Sequence, residues 1–415
     1  MSGGDEPVLT AEEIKAFNRH AKEVDPYLVD LTKYPESITG EDAERLVRLI
    51  STPPDAVYHY RDGSVIEPSD YERYNANLAL DRLPERVDVR FALVLERANM
   101  RSWPTADRAY RPPGDPRYDP NLDRFQENGL FPGDALAVLH ESADGLWCFA
   151  RSYNYAAWVP RQHLVFGDRD IILGYRQRPE FLVVIGSRSH AIRGDGRDPV
   201  ELDMGVRLPL MDRESEFVKT LKGRRETHHA VCLPARDATG ALVFEGALIR
   251  KDDQVQPGFL PYTRANVLRQ AFKFLGEHYG WGHSENARDC TGLVTEIFKT
   301  MGIQLPRNSW QQGQSAVGHT LRFESGAPEA EKITAVLAAD PGDLLYSKGH
   351  VMIYLGSLEG EPYVIHDTAS AGLVDENGAY NEGEYSGVSV TPLLSLNNAP
   401  DTSYLDEMYA IKQIR

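Results

Sequence analysis

A chain of 415 residues, 41% hydrophobic and 26% charged, is too long for one ordinary core and reads as two to four soluble globular domains. Its 45 basic and 62 acidic residues leave a formal net charge of −17. That excludes general nucleic-acid binding, which needs cationic surface to displace counterions, but leaves room for a polymeric or acidic ligand in a locally basic cleft.

No apolar run approaches the roughly 20 residues that cross a bilayer, so no integral membrane segment is expected. Cys148, Cys232 and Cys290 share no CxxC spacing and give neither a disulfide framework nor a structural zinc site. The opening "MSGGDEPVLT" has no basic stretch and no apolar h-region. The chain is therefore expected either in the cytoplasm or, if a signal peptide was removed or replaced, outside it.

Residues 1–85 read as a helical N-terminal segment. Thr10 and Glu13 form a capping box, and Ile14, Phe17, Ala21 and Val24 share one apolar face. A second helix is expected after Thr39, carrying Leu46, Val47, Leu49 and Ile50, followed by the irregular "STPPDAVYHYRDGS". The segment is too polar for a large core of its own, so it is expected to clip onto other domains. From residue 86 the texture changes to short alternating runs, "VRFALVLERANMRSWPT" and "DALAVLHESADGLWCFARSYNYAAWVP", with Asp144-Gly145 as a hairpin signal and "RPPGDPRYDP" as a long surface loop. Residues 170–258 repeat that texture. Two small all-β barrels, 86–168 and 169–256, are the economical reading.

Helical periodicity returns after Pro257. Thr263 caps a helix carrying Val267, Leu268, Ala271, Phe272 and Leu275, with Gly276 beyond it. A further helix begins near Cys290 and carries Leu293, Val294, Ile297, Phe298 and Met301, with Gly302 at its end. Two strand-like runs follow, "HVMIYLG" and "PYVIHDT". Helices first and strands second make residues 257–415 an α+β domain.

Cys290 stands where a helix N-terminus favours a thiolate, through its unsatisfied N–H groups and dipole. Cys148 and Cys232 lie in strand-like runs, where a buried inert thiol is expected. A catalytic thiol also needs an oriented base. If the last two runs pair through a loop of Ser357, Leu358 and Glu359, His350 faces His366 directly; a loop two residues longer makes them diagonal neighbours. In either register they share a face, because side chains alternate along a strand. His350 then takes the thiol proton, His366 fixes its ring, and backbone N–H groups at the helix start await an oxyanion. Plainer readings stand beside this one. A cysteine or a strand histidine is often structural, and His278 and His283 compete as bases. Asp289, Cys290, His278 and His283 match no metal-ligand spacing.

"HYGWGHSENARDCTGLVTEIFKTMGIQLPRNSWQQ", "GDLLYSKGHVMIYLG" and "YVIHDTA" resemble the NlpC/P60 cysteine peptidases over residues 257–415, in the order and spacing of an aromatic-glycine turn, a nucleophile motif, "LPR", "GHV" and a final "IH". Upstream, "ANMRSWPT" and "DGLWCFARSYNYAAWV" resemble bacterial SH3-like domains, and residues 169–256 are a weaker match to a second one. The resemblance implies four parts: a helical clip, two SH3-like barrels and a papain-like α+β NlpC/P60 domain. It implies cleavage of the amide between γ-D-glutamate and a diamino acid in peptidoglycan stem peptides. Cys290 would be the nucleophile, His350 the base and His366 the orienting residue. Tyr279 and the Cys290 N–H would form the oxyanion hole. In members with SH3-like domains the residues flanking the cysteine hold the free amine of an N-terminal L-alanine; here these are Asp289 and Thr291, the latter in place of serine, with Trp281 beside the pocket. His283 departs from the family's glycine after "WG". As alternatives, Tyr279 and Trp281 are core aromatics, Asp289 is a helix cap, and Arg307 binds a substrate carboxylate or braces a loop.

The implied activity is thus a cysteine endopeptidase working through an acyl-enzyme on peptidoglycan stem peptides, with no metal and no cofactor. The alternatives are an acyltransferase or amidase using the same Cys-His chemistry, and a non-catalytic wall-binding protein. The sequence does not set the oligomeric state or the diamino acid.

Overall fold

The computed structural model describes residues 4–115, 118–194, 196–221, 223–375, 377–383 and 386–415. They form two compact units. The first comprises residues 1–28, 259–280 and 286–415, and the second 29–258 with 281–285.

In the first unit, helix Ala11–Val24 starts where the capping box sits: Thr10 Oγ1 accepts from Glu13 N–H, and the Glu13 carboxylate accepts the Thr10 amide at 2.7 Å. Asn18 on this helix donates to Gly302 O at 2.7 Å and accepts from Gln304 N–H at 2.9 Å, tying the N-terminal helix to the turn after helix Cys290–Lys299. That second helix is buried from Cys290 to Phe298. Its polar side chains are matched inside: Glu296 pairs with Arg288, and Thr295 Oγ1 accepts from Gln312 Nε2 at 3.3 Å. It packs against two strands of an antiparallel six-stranded sheet.

The strands are β1 (His319–Arg322), β2 (Leu344–Ser347), β3 (His350–Leu358), β4 (Glu361–Thr368), β5 (Gly387–Pro392) and β6 (Met408–Gln413), in the order β1-β6-β2-β3-β4-β5. Met352, Tyr354 and Val364 enter one apolar cluster with Leu345, Leu396, Met408 and Ile411. The β3–β4 turn is shorter than the sequence suggests. Glu359 and Gly360 form it, both at positive φ (55° and 88°), as a two-residue hairpin turn requires. Leu355 is an extra, bulged residue, so Ile353 faces Ile365 and Tyr354 faces Val364. His350 is therefore a diagonal neighbour of His366, as the alternative register anticipates, although a bulge sets it rather than a longer loop.

In the second unit, strands between Arg90 and Gly167 make a seven-stranded antiparallel sheet that buries both faces. Phe91 and Leu93 enter one cluster, with Phe149 and Trp158; Ala92 and Val94 enter the other, with Cys148 and Val159. The Asp144-Gly145 turn joins strands Ala135–Glu141 and Trp147–Arg151. Helix Gly40–Ile50, capped by Thr39, and helix Pro68–Asn77 lie over this sheet through Val47, Tyr74 and Leu78. Leu49, placed on the apolar face by periodicity, is 72% exposed.

A three-stranded and a four-stranded sheet follow between Phe181 and Pro257, around Leu182, Val184, Ala191, Leu202, Val231 and Ile249. The run read as wholly β opens instead with a helix, Arg169–Gln177, whose Ile172, Leu173 and Tyr175 join the first cluster. Cys148 and Cys232 lie buried in strands, and burial pushes both thiols up, that of Cys148 to about 11.

Candidate active site

The chain enters helix Cys290–Lys299 through Asp289, whose carboxylate accepts from Gly292 N–H at 2.8 Å as an N-cap. Arg307 clamps the same carboxylate. Its two terminal nitrogens donate to Oδ1 at 3.2 Å and Oδ2 at 2.6 Å, and one of them also reaches Thr291 Oγ1 at 2.5 Å. Thr291 in turn donates to Asp289 Oδ1 at 2.9 Å. Arg307 thus braces the residues on either side of the cysteine, and a bidentate guanidinium fixes carboxylate orientation in a way an ammonium does not. Just upstream, Gly280 N–H donates to Arg288 O at 2.6 Å and Tyr279 bridges to Arg288, which sets Tyr279 alongside the entry to the helix. Arg288 is buried between Glu277 and Glu296 and lies over the Phe274 ring.

Cys290 is 6% exposed. The Val351 backbone N–H acts on the thiol to favour the thiolate, as the helix start does. Burial outweighs both, and the Asp289 carboxylate adds to burial, so the thiol is pushed above its ordinary value. The helix start alone therefore does not decide the ionisation of this thiol. Sequence position reveals the dipole but not the desolvation.

Val351 follows His350, so the amide that acts on the thiol belongs to the strand that carries this imidazole. His350 Nε2 lies 2.9 Å from His366 Nδ1, and His366 Nε2 lies 3.0 Å from Thr391 Oγ1 on β5. The Tyr404 ring packs 4.9 Å from that of His350. Burial lowers both imidazoles. His366 falls to about 4, and His350 falls well below its ordinary value, with His366 adding to the effect. Burial also pushes the Tyr279 phenol well up, with Cys290 and Asp289 contributing. Asp367, next to His366 in the chain, is fully buried, and neither carboxylate oxygen has a hydrogen-bond partner among the described residues. Burial, then Asp289 and Glu277, raise it far above the carboxylate range and keep it neutral.

The structure thus gathers Cys290, His350, His366, Tyr279, Asp289 and Thr291 in the first unit. Trp281 belongs to the second, where it is 36% exposed and the Arg124 guanidinium sits 4.5 Å above its ring. His278, a competing base by sequence, is exposed, and His283 is held in the second unit. Sequence reasoning missed Thr391 and Tyr404. Neither lies in a motif; Thr391 reaches the dyad through pairing of β4 with β5, and Tyr404 through ring contacts from a turn far along the chain. Among the described residues no group of three or more His, Cys, Asp or Glu side chains is placed to hold a metal ion.

A thiol at a helix tip beside a hydrogen-bonded histidine pair is the kind of arrangement that cysteine peptidases use. The profile of the NlpC/P60 family matches residues 276–390, and that of the SH3 domain (SH3b1 type) matches residues 108–160. The chain thus carries an NlpC/P60 domain, preceded by an SH3 domain of the SH3b1 type.

Among curated relatives, the gamma-D-glutamyl-L-lysine dipeptidyl-peptidase of Bacillus subtilis is 26% identical over 127 residues, 30% of this chain and 36% of the relative. The bifunctional muramidase/DL-endopeptidase CwlT of the same organism is 36% identical over 80 residues, 17% of this chain and 24% of the relative. The chain thus spans between a quarter and roughly a third of these relatives' length. Among solved structures, an NlpC/P60 endopeptidase from Photobacterium damselae subsp. piscicida superposes with a TM-score of 0.77 at 16% identity, over 100% of this chain and 95% of the other. An NlpC/P60 family protein from Bacillus cereus superposes with a TM-score of 0.50 at 18% identity, over 78% and 99%. These likenesses carry the fold. Among the described residues no helix is long and apolar enough to cross a membrane.

Proposed function

We propose that the protein is a cysteine endopeptidase that hydrolyses the γ-D-glutamyl-diamino acid amide of peptidoglycan stem peptides bearing a free N-terminal L-alanine. The observation that carries this reading is the hydrogen-bonded row His350–His366–Thr391 on the strands against which the Cys290 helix packs. With His366 Nε2–H donating to Thr391 and His350 Nε2–H donating to His366 Nδ1, the His350 Nδ1 lone pair has no hydrogen-bond partner among the described residues and is left for the thiol.

Cys290 Sγ attacks the γ-carbonyl carbon as its proton passes to His350 Nδ1. The Cys290 N–H and the Tyr279 hydroxyl take the oxyanion. Collapse breaks the C–N bond, His350 protonates the departing amine, and water then hydrolyses the thioester by the reverse proton route. Asp289 and Thr291 serve the substrate's ammonium, with Asp289 held in orientation by Arg307. Trp281 is a further substrate-binding residue of this proposal. The division into a helical segment (1–85), two β domains (86–168 and 169–256) and a peptidase domain (257–415) is part of this proposal, as is action on cell-wall peptides outside the cytoplasm. The name of the B. subtilis γ-D-glutamyl-L-lysine peptidase supports the choice of bond.

The test is incubation with L-Ala-γ-D-Glu-diaminopimelate, its lysine counterpart and an N-acetylated copy of each. Release of diaminopimelate or lysine from the free-amine peptides alone is expected. Equal cleavage of the acetylated copies refutes amine recognition, and no cleavage of any refutes the peptidase assignment.

A further inference from the structure

Residues 281–285 end five positions before Cys290 and are held within the second unit. Three of the five take left-handed backbone: Gly282 (φ 59°), His283 (φ 68°) and Glu285 (φ 51°). For histidine and glutamate that conformation is unfavourable, and it persists where the surroundings impose it. Here the surroundings are specific. Gln126 Nε2 donates to Gly282 O at 2.8 Å, and Ser284 Oγ donates to Asn121 O at 3.2 Å. Arg108 pairs with Glu285. The His283 side chain packs on Gly129, where an added Cβ would stand 2.8 Å from the histidine Cβ, and its ring meets the edge of Phe131. His283 is 4% exposed.

One contact reaches beyond the matched SH3 segment. Arg97 donates to His283 O at 3.0 Å through one terminal nitrogen and to Asp203 Oδ1 at 2.5 Å through the other, while its guanidinium lies over Phe131. Asp203 is fully buried on strand Val200–Asp203 of the later β region. A carboxylate paired with one side of a planar guanidinium fixes where the other side points.

We infer that Asp203 and Arg97 are positioning residues for substrate recognition: the later β region acts through this pair to hold loop 281–285, and with it Trp281. The inference rests on the peptidase reading, in which Trp281 meets the substrate. It gives the 169–256 region a role in affinity for the stem peptide that does not require it to bind the cell wall.

The test uses the full chain with Asp203→Asn, Arg97→Met and Arg97→Lys. Carbethoxylation of His283 by diethyl pyrocarbonate, read by peptide mass, reports the loop directly. Turnover of L-Ala-γ-D-Glu-diaminopimelate reports recognition. In Asp203→Asn and Arg97→Met, His283 should label about ten-fold faster, as expected when a local anchor opens. KM should rise about ten-fold with kcat within about two-fold. Arg97→Lys, which keeps a donor for His283 O, should recover part of both effects. His283 protection at the wild-type level in Asp203→Asn and Arg97→Met, or faster labelling with KM unmoved, overturns the inference. If Asp203→Asn does not fold, Arg97→Met and Arg97→Lys decide by the same two readouts. A wild type that cleaves neither peptide rejects the peptidase reading, and His283 labelling still decides whether the pair anchors the loop.

Discussion

In the second unit Arg101 is 4% exposed and fully matched. It donates to Asp123 at 2.8 Å, Thr105 O at 2.8 Å and Asp107 O at 2.5 Å, while Asp123 also accepts from the amides of Ala109 and Phe125. In the first unit Cys290, His350, His366 and Asp367 are as deeply buried, but burial there holds the thiol and the carboxyl protonated and the imidazoles neutral. Low dielectric can be met by pairing charges or by removing them. The paired cluster is scaffold. The neutralised one keeps a donor and an acceptor ready to exchange a proton, which is what a thiol nucleophile needs.

The contrast breaks most sharply at the sulfur. Cys290→Ala should lower kcat/KM on the free-amine tripeptide by at least about 10⁴-fold with the thermal midpoint little changed. Retained turnover would move the chemistry elsewhere. Arg101→Met should do the reverse. It strands Asp123 in the interior, so urea titration should show a loss of about 3–5 kcal/mol, with kcat/KM preserved where the variant is folded. Next comes Thr391→Val, which removes the acceptor at the end of the histidine row and lets His366 choose the unproductive tautomer. A fall in kcat of about ten-fold with KM unchanged is expected from steady-state kinetics.

Read as a slope in pH, the smallest effect is that of Asp367→Asn. A carboxyl with a raised folded pKa contributes stability that is full below the ordinary carboxylate range and is lost as pH rises through the folded value. The wild type should therefore lose thermal stability more steeply than the variant as pH rises above the ordinary carboxylate range, by about 1.4 kcal/mol for each pH unit up to the folded value. Parallel curves would show that Asp367 ionises without penalty.

The helix start at Cys290, the two histidines and their shared face were legible because helix capping at Asp289 and strand alternation in "HVMIYLG" are local signals. The register was not, since the bulge at Leu355 has no single-sequence signature and the Glu359-Gly360 turn absorbs one residue fewer than a Ser357–Glu359 loop. Thr391 and Tyr404 stayed hidden because their roles come from contacts across distant chain. Arg307 was visible as a brace or a ligand, and the geometry supplies the brace. The ionisation state of Cys290 was not legible: a helix N-terminus can be read from one residue's position, whereas desolvation depends on everything packed around it. Helix Pro68–Asn77 was read only as part of a helical segment, without the bounds that Pro68 at a first helical position could have given, and helix Arg169–Gln177 escaped notice for lack of a long apolar period.

The central claim, that Cys290 rests as a neutral thiol beside a neutral His350, is tested most directly by ultraviolet thiolate absorbance of the wild type minus Cys290→Ser across pH. The account predicts no Cys290 thiolate at neutral pH and a rise only above the roughly 8.5 of a free cysteine. A thiolate signal already at its plateau near neutral pH would contradict it and would make the resting site an ion pair.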